Sequence, residues 1–305
     1  MEYIIETNNL CKNYMKNKVL KNLNVHVPKG SIYGLVGKNG AGKSTFMRVI
    51  CGVQDATSGE YKIYGVSNND SKINKTRSRI GAVIETVSMY PGMSAKENMK
   101  QQYRLLGIPS WDGIDELLEL VGLGDTGKKK AKNFSLGMRQ RLGLAMTLAG
   151  SPDCIILDEP MNGLDPEGII EMRETIIKLN KEKDITFIIS SHILDELSKV
   201  ATHYGFIDDG HLVEEISSDE IEKKCRKSSC LEVSDVKSMT KILEDKGHEY
   251  SVDSETKITV FDEFDINGVL PEMIEKKCKL ISVTSSNESL ESYYLNLFGE
   301  IKKEV

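Results

Sequence analysis

The sequence predicts an α/β domain on a largely parallel sheet, followed by a smaller α+β domain. Three observations carry this. Through Val213, short β-rich runs at 31–36, 154–157 and 186–190 alternate with helical stretches, the rhythm of strands joined by helical crossovers. From Glu97 to Ala149 the rhythm breaks into mostly helical sequence, with Leu142, Ala145, Met146 and Ala149 spaced as one face of a helix. After Glu214 a different order begins.

Taken along the chain, the first domain is expected to span 1–214, with a helical subdomain inserted at about 86–150. The mixed-charge stretch that follows reads as a short helix plus linker, 215–228. The remainder, 229–305, reads as strand 230–233, a helix carrying Val236, Met239, Ile242 and Leu243, and strands 249–252 and 257–261. A helix with Ile266, Val269, Leu270 and Ile274 and a strand at 279–283 follow. That order, βαββαβ, predicts a ferredoxin-like small domain. A last amphipathic stripe of Leu290, Tyr293, Tyr294, Leu297 and Phe298 suits core packing.

Charge and composition narrow the function. With 40 Lys and Arg against 46 Asp and Glu among 305 residues, the net charge is −6, so no uniform basic field invites nucleic acid. The six cysteines show neither CxxC nor zinc spacing and are expected to be free thiols in a reducing cytoplasm. The N-terminus is acidic and polar, and no apolar run approaches about 18 residues. The chain is therefore not expected to insert into a membrane.

The chemistry concentrates in a few motifs. Gly37, Asn39, Gly40, Ala41, Gly42, Lys43, Ser44 and Thr45 lie in a GxxxxGK[ST] loop between a predicted strand and a predicted helix. Glycines let backbone N–H groups converge on phosphate oxygens, and the helix adds its positive end. Lys43 supplies a cation for the β and γ phosphates of ATP, and Ser44 a hydroxyl for Mg²⁺. The apolar strand 154–157 runs into adjacent Asp158 and Glu159, at the edge where open α/β sheets bind ligands. Since neighbouring side chains on a strand point to opposite sides, Asp158 is assigned to Mg²⁺ and Glu159 to the attacking water as general base. Ser135, in Phe134-Ser135-Leu136-Gly137-Met138, reads as a helix N-cap.

In this order, with Asn162-Gly163-Leu164-Asp165-Pro166 and Ser190-Ser191-His192 behind them, the motifs resemble those of the ABC transporter ATPases from residue 2 to about 215. The resemblance implies that Tyr14 stacks on adenine, Ser135 and Gly137 form the signature, Asp165 the D-loop, and His192 the γ-phosphate sensor. It further implies a head-to-tail homodimer with two ATP molecules between one subunit's phosphate loop and the other's signature. The partner would be an integral-membrane permease, placing the chain at the inner face of the cell membrane. Two departures stand out. FSLGM replaces LSGGQ, and Glu85 stands where the Q-loop has glutamine. With Tyr90-Pro91 and FSLGMRQRLGLA, they resemble the bacitracin and lantibiotic exporter branch, which implies a peptide-antibiotic cargo and a cation contact for Glu85. Rival classes are a soluble ABC ATPase acting on ribosomes or DNA, which generally shows two cassettes or a long coiled coil, and a P-loop kinase, which lacks the signature.

Overall fold

A computed structural model describes residues 2–225, 228–261, 264–286, 293, 294 and 297. The chain divides into two compact units, Met1–Ser218 and Asp219–Val305.

The first unit opens with β1 (Tyr3–Tyr14), β2 (Asn17–Leu23), β3 (His26–Pro28) and β4 (Ile32–Val36), and α1 (Lys43–Ile50) follows the phosphate loop. Next come β5 (Ser58–Ile63), β6 (Val66–Ser67), α2 (Ile73–Arg77) and β7 (Ile80–Val83). Helices α3 (Ala95–Leu105), α4 (Ile114–Leu120) and α5 (Leu136–Leu148) form the insert. The chain then returns through β8 (Cys154–Asp158), α6 (Pro166–Lys183), β9 (Thr186–Ser191), α7 (Leu194–Ser198), β10 (His203–Asp208) and β11 (His211–Ser217).

Two sheets result. The larger runs β11-β10-β4-β9-β8-β7, parallel except for the β10–β11 hairpin. All five residues of β4 and of β8 are buried, as expected for strands covered on both faces. The second sheet is antiparallel, with β2, β1, β5 and β6 in order and β3 on β1. Sequence reasoning did not foresee it. Between the two, Leu10, Leu20, Leu23, Leu35, Phe46 and Ile156 share one core.

Local signals account for the ends of the inserted helices. Ser94 and Glu97 form a reciprocal capping box at α3, and Ser135 caps α5 by accepting the Met138 N–H at 3.2 Å. Along α5 the fully buried residues are Leu142, Gly143, Leu144, Ala145 and Leu148. Met146 is only partly covered, so the buried face is broader than the predicted stripe.

Strand β11 runs to Ser217, three residues past the boundary read at Glu214. The reason is a partner network. Glu215 accepts from Tyr33 Oη and from the His26 backbone N–H, both at 2.7 Å, and meets His26 Nδ1 at 2.8 Å. The part of the predicted linker that holds these residues is therefore strand.

Helix α8 (Ser218–Lys224) starts at the last residue of the first unit, and the second unit continues with β12 (Ser228–Val233), α9 (Val236–Asp245), β13 (Tyr250–Val252), β14 (Lys257–Val260), α10 (Leu270–Glu275) and β15 (Leu280–Ser286). Its sheet is ordered β13-β14-β12-β15 and is antiparallel throughout, the order a split βαβ connection produces. Leu231, Val233, Met239, Leu243, Ile258 and Met273 fill its core. Of the last predicted helix, Tyr293, Tyr294 and Leu297 are helical, while Leu290 and Phe298 lie outside the described residues. No described helix is long and apolar enough to cross a membrane.

Candidate active site

Adjacent parallel strands bring the motifs together. In the sheet β4 lies beside β9 and β9 beside β8, with Val36 paired to Ser191 and Asp158 to Ser190. The phosphate loop after β4, the carboxylates at the end of β8 and His192 after β9 thus leave one C-terminal sheet edge side by side.

The loop is a tight cradle. A Cβ on Gly37 would stand 2.3 Å from the Ile207 carbonyl oxygen, so no other residue fits there. Gly42 has φ +109° and turns the chain into α1, a conformation glycine adopts without strain. The Ala41 carbonyl accepts the Gly210 N–H at 3.0 Å, which ties the loop to the β10–β11 turn. The first intrahelical bond of α1 is Phe46 N–H to Gly42 at 2.9 Å. The N–H groups of Lys43, Ser44 and Thr45 precede it and stay available at the positive end of the helix. Lys43 is 6% exposed and donates to the Gly37 carbonyl at 2.6 Å and the Lys38 carbonyl at 3.2 Å.

The carboxylates are held differently from each other. Asp158 is buried and accepts from Ser190 Oγ at 2.5 Å, while the same hydroxyl oxygen accepts the Glu159 N–H at 2.8 Å. Glu159 is not on the strand, as strand alternation would need. Its φ of +51° turns it off the end of β8. Its Oε2 accepts from His192 Nδ1 at 2.7 Å and its Oε1 lies 3.6 Å from Lys43 Nζ. The two acids are separated by this turn rather than by the pleat.

The remaining predicted residues occupy other parts of the same unit. Ser135 is exposed at the start of α5, and a Cβ on Gly137 would meet nothing nearer than Leu164 Cδ2 at 3.7 Å. Asp165 caps α6, accepting the Gly168 N–H at 3.1 Å. Tyr14, at the end of β1, is 38% exposed. Its hydroxyl donates to Gln54, and Lys12 Nζ lies 5.2 Å from its ring centre. Glu85 follows β7 with φ +64°, and its carboxylate pairs with Arg48 of α1. The partner observed is thus a cation on the phosphate-loop helix.

Comparison with known proteins decides the family. A model of the ABC transporter family matches residues 20–162. The bacitracin transport ATP-binding protein BcrA of Enterococcus faecalis is 40% identical over 302 residues, covering 98% of this chain and 97% of that one. The chain belongs to the ABC transporter family. The lantibiotic transport ATP-binding protein SrtF of Streptococcus pyogenes is 45% identical over 210 residues, 69% of this chain and 89% of that one. Among solved structures, the ATP-binding cassette MJ0796, described as a dimer in a post-hydrolysis state bound to ADP and Pi, superposes with TM-score 0.63 at 25% identity. The match covers 70% of this chain and 98% of that one. The protein cbiO1 of Clostridium perfringens, part of the ABC transporter complex cbiONQ, gives 0.65 at 26% identity over 72% of this chain and 91% of that one. This ABC chain is an ATP-binding transporter subunit, an ATPase coupled to transport.

Its donor set suits Mg²⁺ held partly by phosphate. Among the described residues no three His, Cys, Asp or Glu side chains converge as a metal-binding group, so Asp158, Glu159 and Glu85 make no ready cation cage. Mg²⁺ commonly takes one or two protein oxygens and fills its octahedron with phosphate and water. Ser44 and the buried Asp158 fit that pattern.

Two members of the ABC site were missed from sequence. Ser190 bridges Asp158 and the Glu159 backbone; a hydroxyl pairing across from the Asp158 position was the available signal. Arg48 left none, since one arginine on a short helix is ordinary.

Proposed function

We propose that this chain hydrolyses Mg·ATP at composite sites in a head-to-tail homodimer and so drives a separate membrane permease that carries a peptide antibiotic. One observation carries the catalytic part: Lys43, Glu159 and His192 meet beside the Ser190-bound Asp158 at the end of the phosphate-loop strands. In this reading the backbone of 37–45 and Lys43 bind the phosphates, and Ser44 and Asp158 hold Mg²⁺, which supplies charge neutralisation at the β and γ oxygens. Glu159 takes a proton from the attacking water. His192 orients the Glu159 carboxylate and reads the γ-phosphate, while Tyr14 stacks on the base. The second subunit contributes Ser135, Gly137 and Asp165, which sit at exposed helix starts and present N–H groups to an anion better than to their own loop.

Cargo and location rest on likeness. Similarity to the bacitracin relative extends through both units, and that to the lantibiotic relative covers 69% of the chain. A groove of about 380 Å³ beside Glu85, lined by Ile84, Val87, Gln102, Leu106 and Met146 among others, offers the permease a partly apolar seat. The chain then works at the inner face of the membrane, held there by the permease. Copurification from native membranes tests this: a multi-span polypeptide should follow the tagged chain, and cells lacking the chain should lose resistance to a bacitracin-type peptide. Unchanged resistance, with no membrane protein retained, would remove the export reading.

A further inference from the structure

Leu136 stands where the resembled family has glycine, and it is 45% exposed at the first turn of α5. Exposure alone says nothing about its role. Its contacts do. A Cβ on Gly163 would stand 3.1 Å from Leu136 Cδ2, and one on Gly137 would stand 3.7 Å from Leu164 Cδ2. Each leucine therefore lies against a glycine of the other segment, a fit that the two bare backbones allow.

The clasped loop is the one that leaves Glu159. Asn162 N–H donates to the Glu159 carbonyl at 3.1 Å, and Leu164 N–H to that of Met161 at 3.3 Å. Two residues after Gly163, Asp165 caps α6. Further along, Arg141 Nη1 and Glu171 Oε2 lie 2.9 Å apart, with Arg141 only 14% exposed, and join α5 to α6. The starts of these two helices are thus tied at two levels.

We infer that Leu136 is a positioning residue: by packing on Gly163 it fixes the 162–165 loop to the start of α5, so that Ser135 and Asp165 meet the second subunit as one surface. The inference rests on the composite-site reading. Leu136 touches no reacting atom in it. It limits the freedom of a loop that joins the catalytic strand end to the part offered to the other subunit.

Three variants test it: Leu136→Ala, Leu136→Gly, which installs the family's residue, and Leu136→Met, which keeps apolar reach. Hydrogen exchange is read on the nucleotide-free protein, and steady-state hydrolysis alongside. For the Ala and Gly variants, exchange in 160–168 should quicken while that in 37–45 stays as in the parent. Their kcat should fall about fivefold, on the order of 1 kcal/mol of barrier, with KM for ATP within about twofold. Leu136→Met should restore both readouts. A merely structural residue would instead lower Tm and quicken exchange throughout the unit. Unchanged exchange in 160–168 overturns the clasp, and so does a KM that rises in step with the loss of activity. If the parent hydrolysed no ATP, the composite-site reading would fail, while the exchange arm would still decide whether Leu136 holds the loop.

Discussion

At Glu159 a single carboxylate meets both an imidazole and a lysine amine. Glu159→Gln keeps the shape and removes the basicity, so Mg·ATP binding should persist while turnover falls by about 10² or more; phosphate release and nucleotide binding measured on the same sample check this. Ser190 is fully buried and serves two partners. Ser190→Ala leaves the buried Asp158 carboxylate short of a donor and should lower stability by about 1–3 kcal/mol, visible as a reduced urea midpoint at unchanged m-value. The Arg48–Glu85 pair makes a further prediction by competition. If Glu85 also serves the cation, Glu85→Gln should raise the Mg²⁺ concentration needed for half-maximal hydrolysis, and Arg48→Gln, by freeing the carboxylate, should lower it. Titrations that coincide with the parent's would leave Glu85 without a cation role.

Among the elements, the capping box of α3 has a pH signature. Glu97 is held down to about 2, from an ordinary 4.5, first by the backbone N–H of Ser94 and then by Lys130. A carboxylate whose folded pKa is depressed contributes stability that is fully present above its unfolded pKa and is lost as pH falls through the folded one. The window is therefore about 4.5 down to about 2. In Glu97→Gln the deficit in urea midpoint relative to the parent should be constant near neutrality and close across that window; a pH-independent deficit would assign the box no ionic part. Legibility also differed by element. The parallel strands were readable because burial on both faces gives continuous apolar runs such as 154–157. The antiparallel sheet was not. Strand β1 has register shifts between Leu10 and Lys12 and again between Lys12 and Asn13, which break the period of two that identifies a half-buried strand. The site residues with motif signatures were legible in type and order, whereas the left-handed turn that aims Glu159 follows from tertiary packing and has no sequence mark.

For the molecule as a whole, the first unit carries both halves of a nucleotide site, a phosphate loop and an exposed signature helix start, and the composite reading assigns these halves to different subunits. The dependence of rate on concentration and the behaviour of mixtures follow from that assignment. The most direct measurement mixes two inactive proteins. Lys43→Ala destroys the phosphate loop and Ser135→Arg blocks the signature, so each homodimer has two defective sites. A heterodimer pairs both lesions at one site and leaves the other intact. Hydrolysis by the mixture should therefore exceed that of either parent, rising with the fraction of heterodimer as measured by differential tagging. Heterodimers that form in quantity yet hydrolyse no faster than the parents would contradict the shared site.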